Sequence, residues 1–130
     1  MSKIITVVAG IIRQEDLFLI ARRAPYLQGP GFWEFPGGKL EIDETKEACL
    51  KRELSEELEI KVIEYSFYKS YDHKYHEIIY NMNFFLVDKF SGTIRLNAHD
   101  KIKWIKYNEF RKYEMLPGDI NIIKNIGKLL

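Results

Sequence analysis

The chain has 130 residues, of which 46% are hydrophobic and 14% aromatic, and this suits one domain with one packed core. Its formal net charge of +1 lacks the basic excess of a typical nucleic-acid-binding protein. The single cysteine, Cys49, excludes an internal disulfide, and the sequence shows neither a membrane-spanning apolar run nor a signal-peptide pattern. We therefore expect one domain over residues 1–130, cytoplasmic, without membrane or nucleic-acid partners, and either a monomer or a homodimer.

The first third of the chain predicts a hairpin and a loop. Residues 4–13 and 17–23 are rich in apolar and β-branched side chains, which favour strands, and the polar tripeptide between them predicts a tight turn. Prolines and glycines in residues 24–32 predict a loop. Residues 33–35 then predict a short extended segment, because Pro36 disfavours helix at the residue before it.

Residues 45–58 predict the central helix, since they contain neither Gly nor Pro. An apolar stripe at i, i+4 and i+8 should face the core, and it consists of Leu50, Leu54 and Leu58. A neighbouring face carries acidic residues at i, i+3 and i+4, which are Glu53, Glu56 and Glu57.

The second half predicts further strands and two short helices. The predicted strands are residues 61–71, 77–89, 93–96 and 102–106, with a polar turn at 72–76. Asn108 is expected to cap a short helix that runs to Tyr113, and Asp119 a final helix. That final helix has one apolar face, formed by Ile120, Ile123, Ile126 and Leu130. This order of elements predicts the α/β class, with a mixed sheet between helices.

The three helical glutamates allow two interpretations. They could form a solvated face whose ion-pair partners are Lys46, Lys51 and Arg52. They could instead bind a hard divalent cation such as Mg²⁺, which prefers carboxylate oxygens and commonly lies between carboxylates and phosphates. The pair Gly37 and Gly38 before the helix favours the metal site, because glycine lets the backbone approach a ligand.

Residues 38–60 closely resemble the Nudix box, which reads Gly, five residues, Glu, seven residues, then Arg-Glu-apolar-x-Glu-Glu-x-Gly-apolar. The matching residues are Gly38, Glu44, Arg52, Glu53, Leu54, Glu56, Glu57 and Ile60. Glu59 replaces the glycine that usually takes a left-handed conformation at the helix end, which costs about 1 kcal/mol without loss of a ligand. The resemblance implies a Nudix-type α/β/α sandwich with a central mixed β-sheet.

By this resemblance, the metal ligands are expected to be Glu53, Glu56, Glu57 and the backbone carbonyl of Gly37. The expected cofactor is Mg²⁺, with Mn²⁺ as a substitute. Family members often add an acidic group from the loop before the last strand, and Asp100 is the nearest candidate here. The alternative for Asp100 is an ordinary turn residue.

The resemblance also assigns catalytic and phosphate-binding roles. Glu53 is the expected general base, and Arg52 is expected either to pair with Glu44 or to orient Glu53. The alternative for Arg52 is a surface ion pair with a glutamate one turn away, worth only a few tenths of a kcal/mol. Lys39 and Arg23 are candidates for phosphate contact, or else exposed charges.

The nucleotide base needs an apolar slot with a few polar groups. Trp33 and Phe35 could flank the base or pack in the core, and Tyr80 is a weaker candidate. Asp119 is both a predicted helix cap and, as in MutT-like proteins, a candidate acceptor for N–H groups of cytosine or of guanine and 8-oxoguanine. The histidines at 73, 76 and 99 are interpreted as turn or surface residues.

The segments LFLIARRAP, GFWEFPGGKLE, AHDKIKW and LPGDI resemble the MutT-type branch of the family. This resemblance predicts Mg²⁺-dependent hydrolysis of a nucleoside triphosphate, such as 8-oxo-dGTP, dGTP or a cytosine nucleotide, to the monophosphate and pyrophosphate, in nucleotide-pool sanitation. One alternative is hydrolysis of ADP-ribose or another nucleoside diphosphate derivative, which would need a second pocket. Another is a non-catalytic nucleotide-binding module, although all three acidic residues of the box are retained.

Overall fold

The computed structural model describes residues 3–23 and 31–129. Within them, the chain forms seven strands, two α-helices and two short 3-10 helices, with α1 after the first four strands and α2 after the last three. The strands are β1 (Lys3–Gln14), β2 (Leu17–Arg23), β3 (Trp33–Glu34), β4 (Gly37–Lys39), β5 (Lys61–Tyr75), β6 (Ile78–Ser91) and β7 (His99–Lys106). The helices are α1 (Lys46–Leu58), α2 (Pro117–Ile126) and the 3-10 turns Tyr107–Lys112 and Gly127–Leu129. None of these helices has the length and hydropathy that a bilayer span requires.

The strands form one mixed sheet, which confirms the predicted fold class. Its main order is β3-β2-β1-β6-β5, with β4 paired to β1 and β7 paired to β2. Strands β1 and β6 are parallel, from Lys3 opposite Ile78 to Ile12 opposite Val87, and the other pairs are antiparallel. The predicted hairpins β1–β2 and β5–β6 are both present, although β5 continues through Tyr75 and the second turn is therefore shorter than predicted.

The two helices cover opposite faces of the sheet, because alternate residues of a strand point to opposite sides. On one face, Val8 and Ile12 of β1 belong to the cluster that contains the three buried leucines of α1 and Cys49. On the other face, Ala9 and Ile11 belong to the cluster that contains buried isoleucines of α2. The helical glutamates of α1 are thereby held at the edge of a packed layer.

Both ends of α1 are capped. Thr45 accepts a hydrogen bond from the amide of Ala48 at its N-terminus. Glu59 ends the helix in the left-handed conformation, with φ of 56° and ψ of 38°, as the box pattern predicts. The remaining carbonyls of the last turn accept bonds from the following loop: the amides of Arg95 and Asn97 donate to Leu58 and Glu57, and the Asn97 side chain donates to Glu56.

Several local predictions are wrong. The predicted strand at 93–96 is absent, since this segment runs along the end of α1 and contains Arg95, which supplies one of the amides just described. Lys106, not Asn108, precedes the first 3-10 helix. Helix α2 begins with Leu116 as the N-cap and Pro117 at the first position, so Asp119 lies in the first turn and does not cap it. The buried isoleucines of α2 are Ile122 and Ile126, whereas Ile120 is exposed.

Parts of two predictions lie outside the described residues. These are most of the predicted loop at 24–32 and the final residue, Leu130.

Candidate active site

A cavity of about 480 Å³ opens where β1, β3, β4 and the start of α2 meet. Gly37, Gly38 and Lys39 contribute to its lining, as do Leu116 to Asp119. Seven of the predicted site residues line this cavity, and they are Arg23, Phe35, Gly37, Lys39, Glu57, Tyr80 and Asp119. The cavity is therefore framed by acidic groups from both helices and by glycines that let the backbone form its wall.

Glu57 is the most enclosed of the three box glutamates. The amide of Gly37 donates to its Oε1 at 3.1 Å, which ties α1 to β4. Burial is the largest cause that raises the pKa of Glu57 to about 9, and the negative charges of Glu34 and Glu53 contribute to the same shift. The positive charge of Arg23 and the hydrogen bond from Gly37 offset this shift only in part, and a bound cation would offset it further.

Glu53 lies against the backbone of Gly38. A Cβ added to Gly38 would lie 2.4 Å from the carboxyl carbon of Glu53, so only glycine leaves room for this carboxylate. Burial raises the pKa of Glu53, while the hydrogen bond and charge of Arg52 lower it. The glycine pair thus has a steric function in addition to any backbone ligand that it offers.

Arg52 joins the acidic groups of the box. Its Nε donates to Glu44 Oε2 at 2.7 Å and its Nη2 to Glu44 Oε1 at 3.0 Å, a bidentate pair. Its Nη1 donates to Glu53 Oε1 at 2.9 Å, and its Nη2 also donates to the carbonyl of Lys39 at 3.1 Å. The side-chain hydrogen bond from Arg52 holds the pKa of Glu44 down to about 2.

The geometry of Arg52 matches both predicted roles at once, pairing with Glu44 and orienting Glu53. The weaker contact to Glu56, at 3.4 Å, corresponds to the surface-pair alternative. Glu56 is the most solvent-exposed of the three box glutamates, with 58% of its side chain accessible.

Asp119, in the first turn of α2, lines the same cavity. It is buried, and its Oδ2 accepts a hydrogen bond from the amide of Phe35 at 3.0 Å. Burial, together with the negative charge of Glu34, raises the pKa of Asp119 to about 8. Nearby, Tyr71 donates to the carbonyl of Gly118 at 2.7 Å and accepts from the amide of Ile122 at 3.1 Å, which fixes the start of α2.

Two predicted residues are placed elsewhere. Trp33 is buried and packs edge-on against Tyr113, with ring centroids 5.1 Å apart, and it is not among the residues that line the cavity. Its core-packing alternative is therefore the one that the structure shows. Asp100 makes a bidentate ion pair with Arg22, at 2.9 and 2.7 Å, which lowers the pKa of Asp100.

Glu34 and His99 were not predicted to belong to the site. Glu34 lines the cavity, and the buried ring of His99 places Nε2 2.8 Å from Glu34 Oε2. With Glu57 they form a group whose potential ligand atoms all lie within 4.8 Å of one another. The sequence could have indicated Glu34 as a cavity residue, because it lies between the apolar residues Trp33 and Phe35 in a short extended segment and so points to the other side. No sequence pattern could have indicated His99, since its contact with Glu34 depends on which strand pairs with β7.

Comparisons with known proteins show the family to which this chain belongs. The NUDIX domain family model matches residues 3–126. The CTP pyrophosphohydrolase of Escherichia coli (strain K12) is 34% identical over 122 residues, which cover 94% of this chain and 90% of that protein. The 8-oxo-dGTP diphosphatase of Buchnera aphidicola subsp. Schizaphis graminum (strain Sg) is 31% identical over 130 residues, which cover 98% and 97% of the two chains.

Solved structures give the same result for the fold. The solution structure of the E. coli ORF135 protein has a TM-score of 0.87 at 33% identity, with 98% of this chain and 91% of that chain covered. A MutT structure, from work on Aliivibrio salmonicida and Vibrio cholerae, has a TM-score of 0.83 at 29% identity, with 98% and 100% covered. Since the family model spans nearly the whole chain and relatives above 30% identity do so as well, this protein belongs to the NUDIX domain family.

Proposed function

We propose that this protein hydrolyses nucleoside triphosphates to the monophosphate and pyrophosphate with the help of a divalent cation. The observation that carries this proposal is the arrangement of Arg52, Glu53 and Glu57 around Gly37 and Gly38, at the edge of a cavity of about 480 Å³. Relatives that cover almost the whole chain are named as pyrophosphohydrolases or diphosphatases of CTP and 8-oxo-dGTP. We therefore expect a cytosine nucleotide or an oxidised guanine nucleotide as the substrate, and a role in sanitation of the nucleotide pool.

The residues at the cavity fit a hard cation, and we propose Mg²⁺, with Mn²⁺ as a substitute. Carboxylate and carbonyl oxygens are the ligands that these ions prefer, and the charge of Arg23 offsets only part of the raised pKa of the buried carboxylate of Glu57. The proposed ligands are Glu53, Glu56, Glu57 and the carbonyl of Gly37. When bound, the cation would neutralise charge on the polyphosphate and lower the pKa of a coordinated water. We assign Asp100 to its ion pair with Arg22 and not to the cation.

Glu53 is the proposed general base. Its Oε1 accepts a hydrogen bond from Arg52, which holds the carboxylate in place and leaves Oε2 to accept a proton from the attacking water. Arg52 is itself fixed by the bidentate pair with Glu44. Lys39 and Arg23 line the same cavity, and we propose that they contact the phosphate oxygens, with attack at the β-phosphorus.

Phe35, Tyr80 and Asp119 are proposed to bind the base. The Oδ2 atom of Asp119 is used by the amide of Phe35, which leaves Oδ1 for a ligand. Because the pKa of Asp119 is raised to about 8, the carboxyl group is protonated over part of the neutral range. It can then donate as well as accept a hydrogen bond, and this widens the choice of base beyond those that present only N–H groups.

The test is a substrate panel with the purified protein and Mg²⁺. CTP, dCTP, 5-substituted dCTP, dGTP, 8-oxo-dGTP and ADP-ribose would be compared by release of pyrophosphate and monophosphate. We expect turnover of at least one triphosphate, and a loss of at least about 100-fold in kcat for Glu53→Gln. Nucleotide binding by calorimetry without pyrophosphate release, or full activity of Glu53→Gln, would contradict the proposal.

A further inference from the structure

His99 and Glu34 approach each other from two strands that flank β2. In the β2–β3 pair Glu34 lies opposite Ala21, and in the β2–β7 pair His99 lies opposite Arg23, just past an irregularity in the register after Arg22. The His99 ring is only 1% exposed. This histidine is far more buried than a turn or surface residue, and it lies directly beside the cavity-lining Glu34.

The carboxylate of Glu34 lines the same cavity as Glu57 and Asp119. Its charge raises the pKa of Glu57 on α1 and the pKa of Asp119 on α2. Among the described residues, the nearest cation is Arg23, whose Nη1 lies 3.8 Å from Glu34 Oε1, which is too long for a hydrogen bond. The hydrogen bond from His99 is therefore the close contact that determines where this carboxylate points.

The direction of that hydrogen bond follows from the partners. An ionised carboxylate only accepts, so Nε2 of His99 must carry the proton and donate to Glu34 Oε2. The other ring nitrogen, Nδ1, is buried and has no partner among the described residues. A lone pair at Nδ1 costs less there than a buried N–H would, so this tautomer suits the site. Oε1 of Glu34, on the side of Arg23, remains available to a ligand.

We propose that His99 is a positioning residue of the nucleotide site, and this inference rests on the proposed function. Its Nε2–H holds the Glu34 carboxylate so that Oε1 accepts a hydrogen bond from a hydroxyl or N–H group of the nucleoside part of the substrate. His99 itself touches no substrate atom. A contact of this kind is made in the ground state as well as in the transition state, so its loss raises KM and changes kcat little.

Two substitutions of His99 separate this role from a general structural one. In His99→Gln the amide nitrogen lies the same number of bonds from Cα as Nε2 does, so it can still donate to Glu34. In His99→Asn the amide nitrogen is one bond shorter and leaves the carboxylate without its donor. His76→Asn, on an exposed turn, is the matched control for a histidine-to-asparagine change.

The readouts are kcat and KM with the best triphosphate of the panel, and calorimetric binding of its non-hydrolysable α,β-imido analogue. We expect His99→Asn to raise KM and the analogue Kd about tenfold, the size of effect that one lost hydrogen bond produces. His99→Gln should keep most of the affinity, and kcat should stay within about threefold for both variants.

A double-mutant cycle with Glu34→Gln tests whether His99 acts through Glu34. Glu34→Gln alone should raise KM by a similar factor, and adding His99→Asn to it should raise KM little more, because the two changes remove one interaction. Full additivity would overturn the proposal. So would wild-type KM and Kd in His99→Asn, or an altered Mg²⁺ requirement with unchanged nucleotide affinity.

Thermal melts of every variant identify the structural alternative. If both His99 variants have a lower melting temperature and the same change in KM, the His99 ring only contributes to packing, and the proposal is overturned. Inactivity of the wild-type protein would instead refute the proposed function. The calorimetric comparison would still decide whether His99 supports nucleotide binding.

Discussion

Replacement of Gly38 by alanine should impair catalysis while leaving the fold intact. The added Cβ would lie 2.4 Å from the carboxyl carbon of Glu53 and 2.5 Å from both of its oxygens, whereas ordinary contacts begin at 3.4 Å. The carboxylate must therefore move by about 1 Å, and a displacement of that size costs roughly 100-fold in rate, or about 2.7 kcal/mol. Because the obstructing atoms are the end of a flexible side chain, the free energy of unfolding should change by less than about 1 kcal/mol.

Gly37→Ala is the matched comparison, since the same atom added one residue earlier meets backbone. Its Cβ would lie 2.1 Å from the carbonyl oxygen of Val8, in the pairing of β4 with β1. Steric overlap of this kind typically costs about 1 to 3 kcal/mol of stability. Pyrophosphate release and urea unfolding would be measured for both variants. Wild-type kcat/KM in Gly38→Ala, or an equal loss of stability in the two variants, would refute this reasoning.

Three further substitutions test the box and the base-binding end. Arg52→Lys should lower kcat about 10- to 100-fold in steady-state assays, because one ammonium cannot hold Glu53 and also form a bidentate pair. Asp119→Asn should gain stability relative to wild type as pH rises from about 4 to 8, measured by melting temperature. The carboxyl pKa is raised to about 8 in the folded protein, so the folded state binds more protons than the unfolded state in this range. The stability of the wild type therefore falls as pH rises, whereas that of the asparagine variant does not. Glu59→Gly should stabilise the protein by about 0.5 to 1 kcal/mol in urea unfolding, since relief at φ of 56° outweighs the exposed hydrogen bond to Asn97.

Each of these predictions has a clear contrary result. Unchanged kcat in Arg52→Lys would mean that the guanidinium does not orient Glu53. Parallel pH profiles of the melting temperatures of Asp119→Asn and wild type would mean that Asp119 ionises without cost when buried. A destabilised Glu59→Gly would mean that the side-chain contact to Asn97 matters more than the backbone conformation.

The sequence predicted best what depends on neighbours along the chain. The leucine spacing located α1 and its buried face, and the box pattern anticipated the left-handed conformation at Glu59 even without the usual glycine. The pairing of Arg52 with Glu44 could also be predicted, because both residues belong to one short motif. In such cases the relevant distances are set by helix geometry and a single turn.

Residues whose partners come from distant strands could not be placed in this way. Asp100 was considered for the cation because of its position before the last strand, but the pairing of β7 with β2 puts it opposite the β2 segment that carries Arg22. The same pairing brings His99 to Glu34. Trp33 and Phe35 looked equivalent in sequence, yet only Phe35 lines the cavity. These outcomes follow from sheet order, which no local pattern encodes.

The parallel pairing of β1 with β6 has a consequence for the order of folding. Ten consecutive residues of β1 find their partners about 75 positions later in the chain, and contacts this distant in sequence form slowly. During synthesis β1 must therefore wait until β6 has emerged, with one edge of its backbone unpaired. An unpaired apolar strand edge promotes association between chains. This protein should therefore be most prone to aggregate during its synthesis, before β6 has emerged from the ribosome.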